Sequence, residues 1–173
     1  AMFAHELVHA IAFDHANQTG AWERADAGFY IEGWAEYAAL LVDPEKTGFP
    51  LFGFDEAVVV GHWLEHGGIG LADLRERHEE LNMPCQGQAY ILRASWYRYV
   101  HEELGDDALL QLVPASERLT PAAVEAILGD TIEAVDADWY AWARARYLAV
   151  ADAPEQAAAY RARMDRWYEP CVL

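Results

Sequence analysis

Basic residues, cysteines and long apolar runs are scarce in this chain of 173 residues. Twelve lysines and arginines stand against 29 acidic residues, which gives a net charge of −17. Such a surface repels phosphate backbones, so we expect no nucleic-acid partner. The sequence predicts no membrane-spanning helix, because no long run of uncharged apolar residues occurs. No basic-then-apolar N-terminal segment marks a signal peptide, and the compartment stays open.

Cys85 and Cys171 are the only two cysteines. If the parent protein is exported they could form one disulfide, and in the cytosol they would remain thiols. Their spacing does not make them metal ligands.

Apolar residues make up 54% of the chain, with seven tryptophans among them. This content supports one folded unit, so we predict a single, mainly α-helical domain over residues 1–173. No internal repeat or strong strand signal is visible. We predict helices over about residues 2–15, 31–42, 55–66, 86–104 and 154–167. Two more are predicted from their end residues. One is opened by Thr120 and Pro121 and ended by Gly129, and the other is capped by Asp130 and runs to Tyr147.

The most informative segment is His-Glu-Leu-Val-His at residues 5–9. Histidines four residues apart lie on one helical face, so His5 and His9 can bind one metal ion. Glu6 lies at the edge of that face, where it can act on a water molecule. Because the flanking residues are apolar, we expect this helix to be buried nearly all round, where imidazoles need partners.

A second segment, Glu32-Gly33-Trp34-Ala35, places an acid among small and apolar residues. Glu32 would complete a set of three ligands with one open position, the arrangement of catalytic zinc. We therefore predict one Zn²⁺ per chain, held by His5, His9 and Glu32. For Glu36 three alternatives stay open, since it could orient a ligand histidine, lie exposed, or itself be the third ligand.

These motifs resemble those of gluzincin metallopeptidases, which include aminopeptidase N, and are more similar to bacterial peptidase MA-like domains. The family pattern Glu-Gly-x-Ala-x-Tyr is matched by Glu32, Gly33, Ala35 and Tyr37. A third similar stretch begins at Tyr90, and the resemblance implies that this tyrosine stabilises the oxyanion. Arg93 departs from the pattern, because the family usually has a small residue there.

Two further departures concern length. The 22 residues between His9 and Glu32 form a longer spacer than is typical of aminopeptidase N relatives, and we assign the extra length to a turn at residues 17–20. The family also carries a β-sheet upstream of the zinc helix, for which residues 1–4 leave no room. The expected fold is therefore the helical portion of a zincin-like domain without that sheet.

A rival motif, His62-Trp63-Leu64-Glu65-His66, fits an inverted metallopeptidase pattern. It has no supporting distal glutamate motif and runs into glycines, so we interpret it as the polar end of a helix. His101 has acidic neighbours and is interpreted as a surface residue.

The expected function is that of a zinc-dependent peptidase acting on a peptide or protein substrate. In this mechanism zinc activates a water, Glu6 takes its proton and passes it to the leaving amine, and Tyr90 hydrogen-bonds the oxyanion. Two alternatives remain, a zinc-stabilised helical binding domain without catalysis and a metal-free helical interaction domain.

Overall fold

A computed structural model describes residues 2–19, 27–42, 56–67, 70–76, 83–113 and 120–148, together with residues 155, 158, 159 and 162. Of these residues, 90% are helical and none lies in a strand, so the prediction of a mainly α-helical fold is confirmed. Within the same residues, no helix combines the length and the apolar character needed to cross a membrane.

Eight α-helices and one π-helical turn form the described fold. They are α1 (Met2–Thr19), α2 (Ala27–Val42), α3 (Glu56–His66), α4 (Leu71–Glu76), α5 (Met83–Tyr99), the π-helical turn (Val100–Leu104), α6 (Asp106–Gln111), α7 (Pro121–Leu128) and α8 (Ile132–Tyr147). Cys171 and nearly all of the helix predicted over about residues 154–167 lie outside the described residues, as does the Cys85 side chain.

The core forms where α2 and α5 pack together, and α1, α3, α4 and α8 contact one or both of these helices. Aromatic rings fill this contact: Phe29 and Tyr30 lie 5.6 and 6.1 Å from Trp96, in edge-to-face arrangements. Such pairs stabilise beyond the area they bury. The segment that carries Glu32 therefore belongs to the hydrophobic core.

Helix termini test the predictions made from capping residues. Thr120 accepts a hydrogen bond from the Ala123 backbone N–H, Pro121 opens α7, and Gly129 ends it with a φ of 79°, all as predicted. The cap of α8 was predicted one residue too early. Thr131, rather than Asp130, accepts from the Ala134 N–H, while Asp130 accepts from the Thr131 N–H.

The C-terminal end of α5 differs from the predicted continuous helix. The last five residues, Val100–Leu104, form a π-helical turn, and the Gly105 N–H closes it by donating to the Val100 carbonyl at 3.1 Å. Gly105 adopts a φ of 89°, which a residue with a Cβ rarely adopts. The short helices α4 and α6 were not predicted, because six residues carry too little periodicity.

Two expectations for α1 were wrong. The predicted turn at residues 17–20 overlaps α1, which continues to Thr19. The helix is also not buried all round, since Phe3, Leu7 and Ile11 are 80%, 48% and 59% exposed. These three residues recur every four positions and form one stripe, because α1 packs against α2 through its histidine-bearing side.

Gly33 permits the close approach of α2 to α5. A Cβ at this position would lie 2.9 Å from Tyr97 Cδ2 and 3.0 Å from Arg93 Cβ. Both distances are shorter than ordinary van der Waals contact, so only glycine fits without a shift of α5.

We expect Gly33→Ala to lower the free energy of unfolding measured in urea. Overpacking costs about 1–3 kcal/mol, which exceeds the gain of about 1 kcal/mol in helix propensity. Gly70→Ala is the control, because a Cβ there meets Asp73 Oδ2 at 3.5 Å, an ordinary contact. A Gly33→Ala variant as stable as the native protein would show that α5 gives way at no cost.

Candidate metal centre

His5 and His9 lie on α1 with their Nε2 atoms only 2.9 Å apart. Their rings meet edge to face, with centroids separated by 4.6 Å. The His5 side chain is 7% exposed and the His9 side chain 14%. The spacing of four residues therefore brings two imidazole nitrogens to one point under the surface, as the sequence predicts.

Glu32 reaches the same point from α2. Its Oε2 lies 3.5 Å from His5 Nε2 and 3.2 Å from His9 Nε2. Among the described residues, these three form the group of possible ligands whose donor atoms all lie within 4.8 Å of one another. The predicted ligands are thus brought together, whereas His62, Glu65 and His66 form no such group.

The separations of the three donor atoms fit a zinc ion. Ligands at about 2.0–2.1 Å from tetrahedral zinc lie roughly 3.3 Å from one another. The observed separations of 2.9, 3.2 and 3.5 Å lie on both sides of that value. Two imidazole nitrogens and one carboxylate oxygen are also the donor set of many catalytic zinc sites.

Glu36 lies one turn after Glu32 and contacts the other nitrogen of His5. His5 Nδ1 donates to Glu36 Oε2 at 3.1 Å, and Glu36 is fully buried. The alternative that Glu36 lies exposed is therefore wrong. The carboxylate that faces the Nε2 atoms of both His5 and His9 is that of Glu32. A carboxylate behind a histidine fixes the ring orientation and leaves Nε2 facing the metal.

Charge coupling within the centre is strong. Burial alone would lower the pKa of His5, but hydrogen bonds with Glu32 and Glu36 outweigh it and raise the pKa to about 9. Burial would raise the pKa of Glu32, yet its contacts with His5 and His9 hold that pKa well below the usual value of 4.5. Both shifts favour an ion pair between a protonated His5 and an ionised Glu32.

Tyr90 also lies at the centre. Its ring centroid is 5.7 Å from that of His5, in an edge-to-face contact. Burial, followed by the charge of Glu32 and a hydrogen bond with it, raises the pKa of the Tyr90 hydroxyl. The hydroxyl is therefore a neutral hydrogen-bond donor beside the third predicted ligand.

Glu6, the predicted base, is solvent-exposed. It follows His5 directly on α1 and lies outside the set of three donor atoms.

Sequence reasoning missed the role of His101. Its Nδ1 lies 2.5 Å from the Tyr37 hydroxyl, and its Nε2 lies 2.8 Å from Asp106 Oδ1. This chain of contacts joins the π-helical turn and α6 to α2, one residue beyond Glu36. In the sequence, Gly105 marks the end of this helix. It does not reveal the π-helical turn, which changes the direction of the His101 side chain.

Comparison with protein-family models, curated proteins and solved structures gave no match. The resemblance to gluzincins therefore rests on the sequence motifs alone.

The first prediction for this centre concerns pH. The pKa of His5 is raised from 6.5 to about 9 on folding, so its stabilising contribution is complete below about pH 6.5 and is lost as pH rises through about 9. With chelator present, the difference in unfolding free energy between the native protein and His5→Gln should shrink across this window. His66→Gln, which removes an exposed imidazole outside the candidate centre, is the control. A His5→Gln difference that grows with pH would contradict the ion-paired His5.

The second prediction concerns Glu36. Glu36→Gln keeps an oxygen that accepts from His5 Nδ1 but removes the negative charge behind it. We expect the zinc dissociation constant to rise about 10–100-fold, measured by calorimetry against a competing chelator. Glu103→Gln removes an exposed charge and should leave the constant unchanged. Equal affinities for native protein and Glu36→Gln would exclude a role for this carboxylate in metal binding.

Proposed function

We propose that this chain is a zinc-dependent peptidase related to the gluzincins, with one Zn²⁺ bound by His5, His9 and Glu32. The observation that carries the proposal is the set of three donor separations, 2.9, 3.2 and 3.5 Å, which match the edges of a zinc tetrahedron. Three protein ligands leave a position open, as catalysis requires. The exposed glutamate next to His5 supports a hydrolytic role, because a structural zinc site needs no base.

When bound, zinc supplies a Lewis acid that polarises a carbonyl group and activates water near neutral pH. The residues of the chain perform the remaining steps. Glu6 accepts the proton of the attacking water and donates it to the amine that leaves. Tyr90 donates a hydrogen bond to the oxygen on which negative charge develops, and Glu36 holds His5 in the tautomer and orientation that binding needs.

The second candidate function is a zinc-stabilised binding domain without catalysis. The exposed stripe Phe3, Leu7 and Ile11 favours it, because large apolar side chains exposed side by side mark a contact surface. Glu6 is the residue that separates the two functions. It lies outside the donor set, so its charge matters for hydrolysis and not for zinc affinity.

The test compares Glu6→Gln and His9→Ala with the native protein. Elemental analysis should find near one zinc per chain in the native protein and in Glu6→Gln, and near none in His9→Ala. Hydrolysis of an unstructured protein substrate should fall by at least about 100-fold in Glu6→Gln, since the general base is lost. Glu133→Gln, an exposed acid on α8, is the matched control and should retain both properties.

Each outcome assigns the function. A zinc-loaded native protein that cleaves no peptide, with a melting temperature lowered by chelator, would support the binding domain. A native protein purified without chelators that contains no zinc would exclude both zinc functions.

A further inference from the structure

Arg93 is a buried cation at the candidate metal centre that the proposed mechanism leaves without a role. Its side chain is fully buried in the contact between α2 and α5. The guanidinium carbon lies 5.8 Å from the centroid of the Tyr90 ring and 6.0 Å from that of Phe29. A guanidinium at this distance is attracted by the faces of aromatic rings.

The helix dictates this placement. Arg93 follows Tyr90 by three residues on α5, so both lie on the same face, and helical side chains lean toward the N-terminus. Gly33 fixes the start of the arginine side chain, because the α2 backbone passes so close to Arg93 Cβ. The guanidinium is therefore directed toward the Tyr90 ring.

The charge of Arg93 is tied to the same centre. Burial lowers the pKa of Arg93 to about 10, and the negative charge of Glu32 opposes this effect. Two other arginines contact carboxylates away from the centre: the buried Arg75 contacts Asp136, and the partly buried Arg98 contacts Glu56. Arg93 instead lies near Glu32, the third predicted ligand, and Tyr90, the predicted oxyanion donor.

We propose that Arg93 is a positioning residue for Tyr90: its buried guanidinium supports the tyrosine ring against His5 and keeps the hydroxyl beside Glu32. The side chain is fully buried, so it does not touch substrate and acts through the Tyr90 ring that it contacts. The expected effect on kcat rests on the proposed peptidase function. The expected placement of the Tyr90 ring rests on the fold alone.

The kinetic test uses Arg93→Met, Arg93→Lys and Tyr90→Phe in the zinc-loaded protein. We expect Arg93→Met to lower kcat about 10–100-fold with little change in KM, as removal of a supporting partner does. Arg93→Lys keeps the positive charge and should restore most of kcat. In the double variant Arg93→Met/Tyr90→Phe, kcat should be no lower than in Tyr90→Phe alone. Both changes remove the same hydrogen bond, the one from the Tyr90 hydroxyl to the oxyanion.

Arg75→Met is the matched control. Arg75 is also a buried arginine, with its guanidinium carbon 4.3 Å from the centroid of the same Phe29 ring, and it contacts Asp136 rather than the metal centre. This variant should lose stability but keep kcat. If Arg75→Met lowers kcat as much as Arg93→Met, or if the Arg93 and Tyr90 effects multiply, the proposal is wrong.

A second readout needs no activity. With 3-fluorotyrosine incorporated at position 90, Arg93→Met should move the fluorine NMR resonance toward that of an exposed fluorotyrosine. Arg93→Lys and Arg75→Met should leave it near the native value. Where Arg93→Met does not fold, Arg93→Gln takes its place with the same expected shift. An unchanged resonance overturns the proposal, whereas a shifted one in a protein without hydrolysis keeps it and rejects only the peptidase function.

Discussion

The close packing of α2 against α5 at Gly33 is the constraint on which the rest of the structure depends. The α2 helix carries Glu32 and Glu36, and α5 carries Tyr90 and Arg93, so this single contact sets the position of four side chains at the centre. A side chain at position 33 would meet Arg93 Cβ and the Tyr97 ring within 3.0 Å. The contact therefore requires a glycine at position 33, and α1 completes the centre by presenting two histidines to the surface that α2 and α5 form.

The donor atoms of the candidate centre are linked by ion pairs in which His5 carries a proton. Glu32 and Glu36 contact opposite nitrogens of that ring, at 3.5 and 3.1 Å, and both contacts favour its charged form. A metal ion must displace this proton, so binding weakens as pH falls. The ion pairs that organise the site thus compete with the metal ion for the same nitrogen and oxygen atoms.

The part of the site that was predicted from sequence depends on local geometry. His5 and His9 converge because a helical turn dictates it, and the caps at Thr120 and Gly129 follow from backbone chemistry within a few residues. What depends on tertiary packing was not predictable. The three alternatives for Glu36 differ only in how α2 rotates against α1, and the contact of His101 with Tyr37 requires the π-helical turn. The exposure of Phe3 on α1 likewise depends on which neighbours cover that helix.

The exposed stripe of α1 gives the candidate centre a second physical consequence. In the described part of the chain α1 packs mainly on α2, and its outer apolar residues contribute little burial energy. A metal ion bound by His5, His9 and Glu32 would join α1 to α2 at one point. It would therefore stabilise the position of α1 in addition to any part it takes in hydrolysis. Loss of zinc would then weaken the attachment of α1 under either proposed function, and a peptidase would lose its activity as well. Glu6 belongs to α1 but not to the set of donor atoms. A change of its charge therefore separates the proposed peptidase from the proposed binding domain.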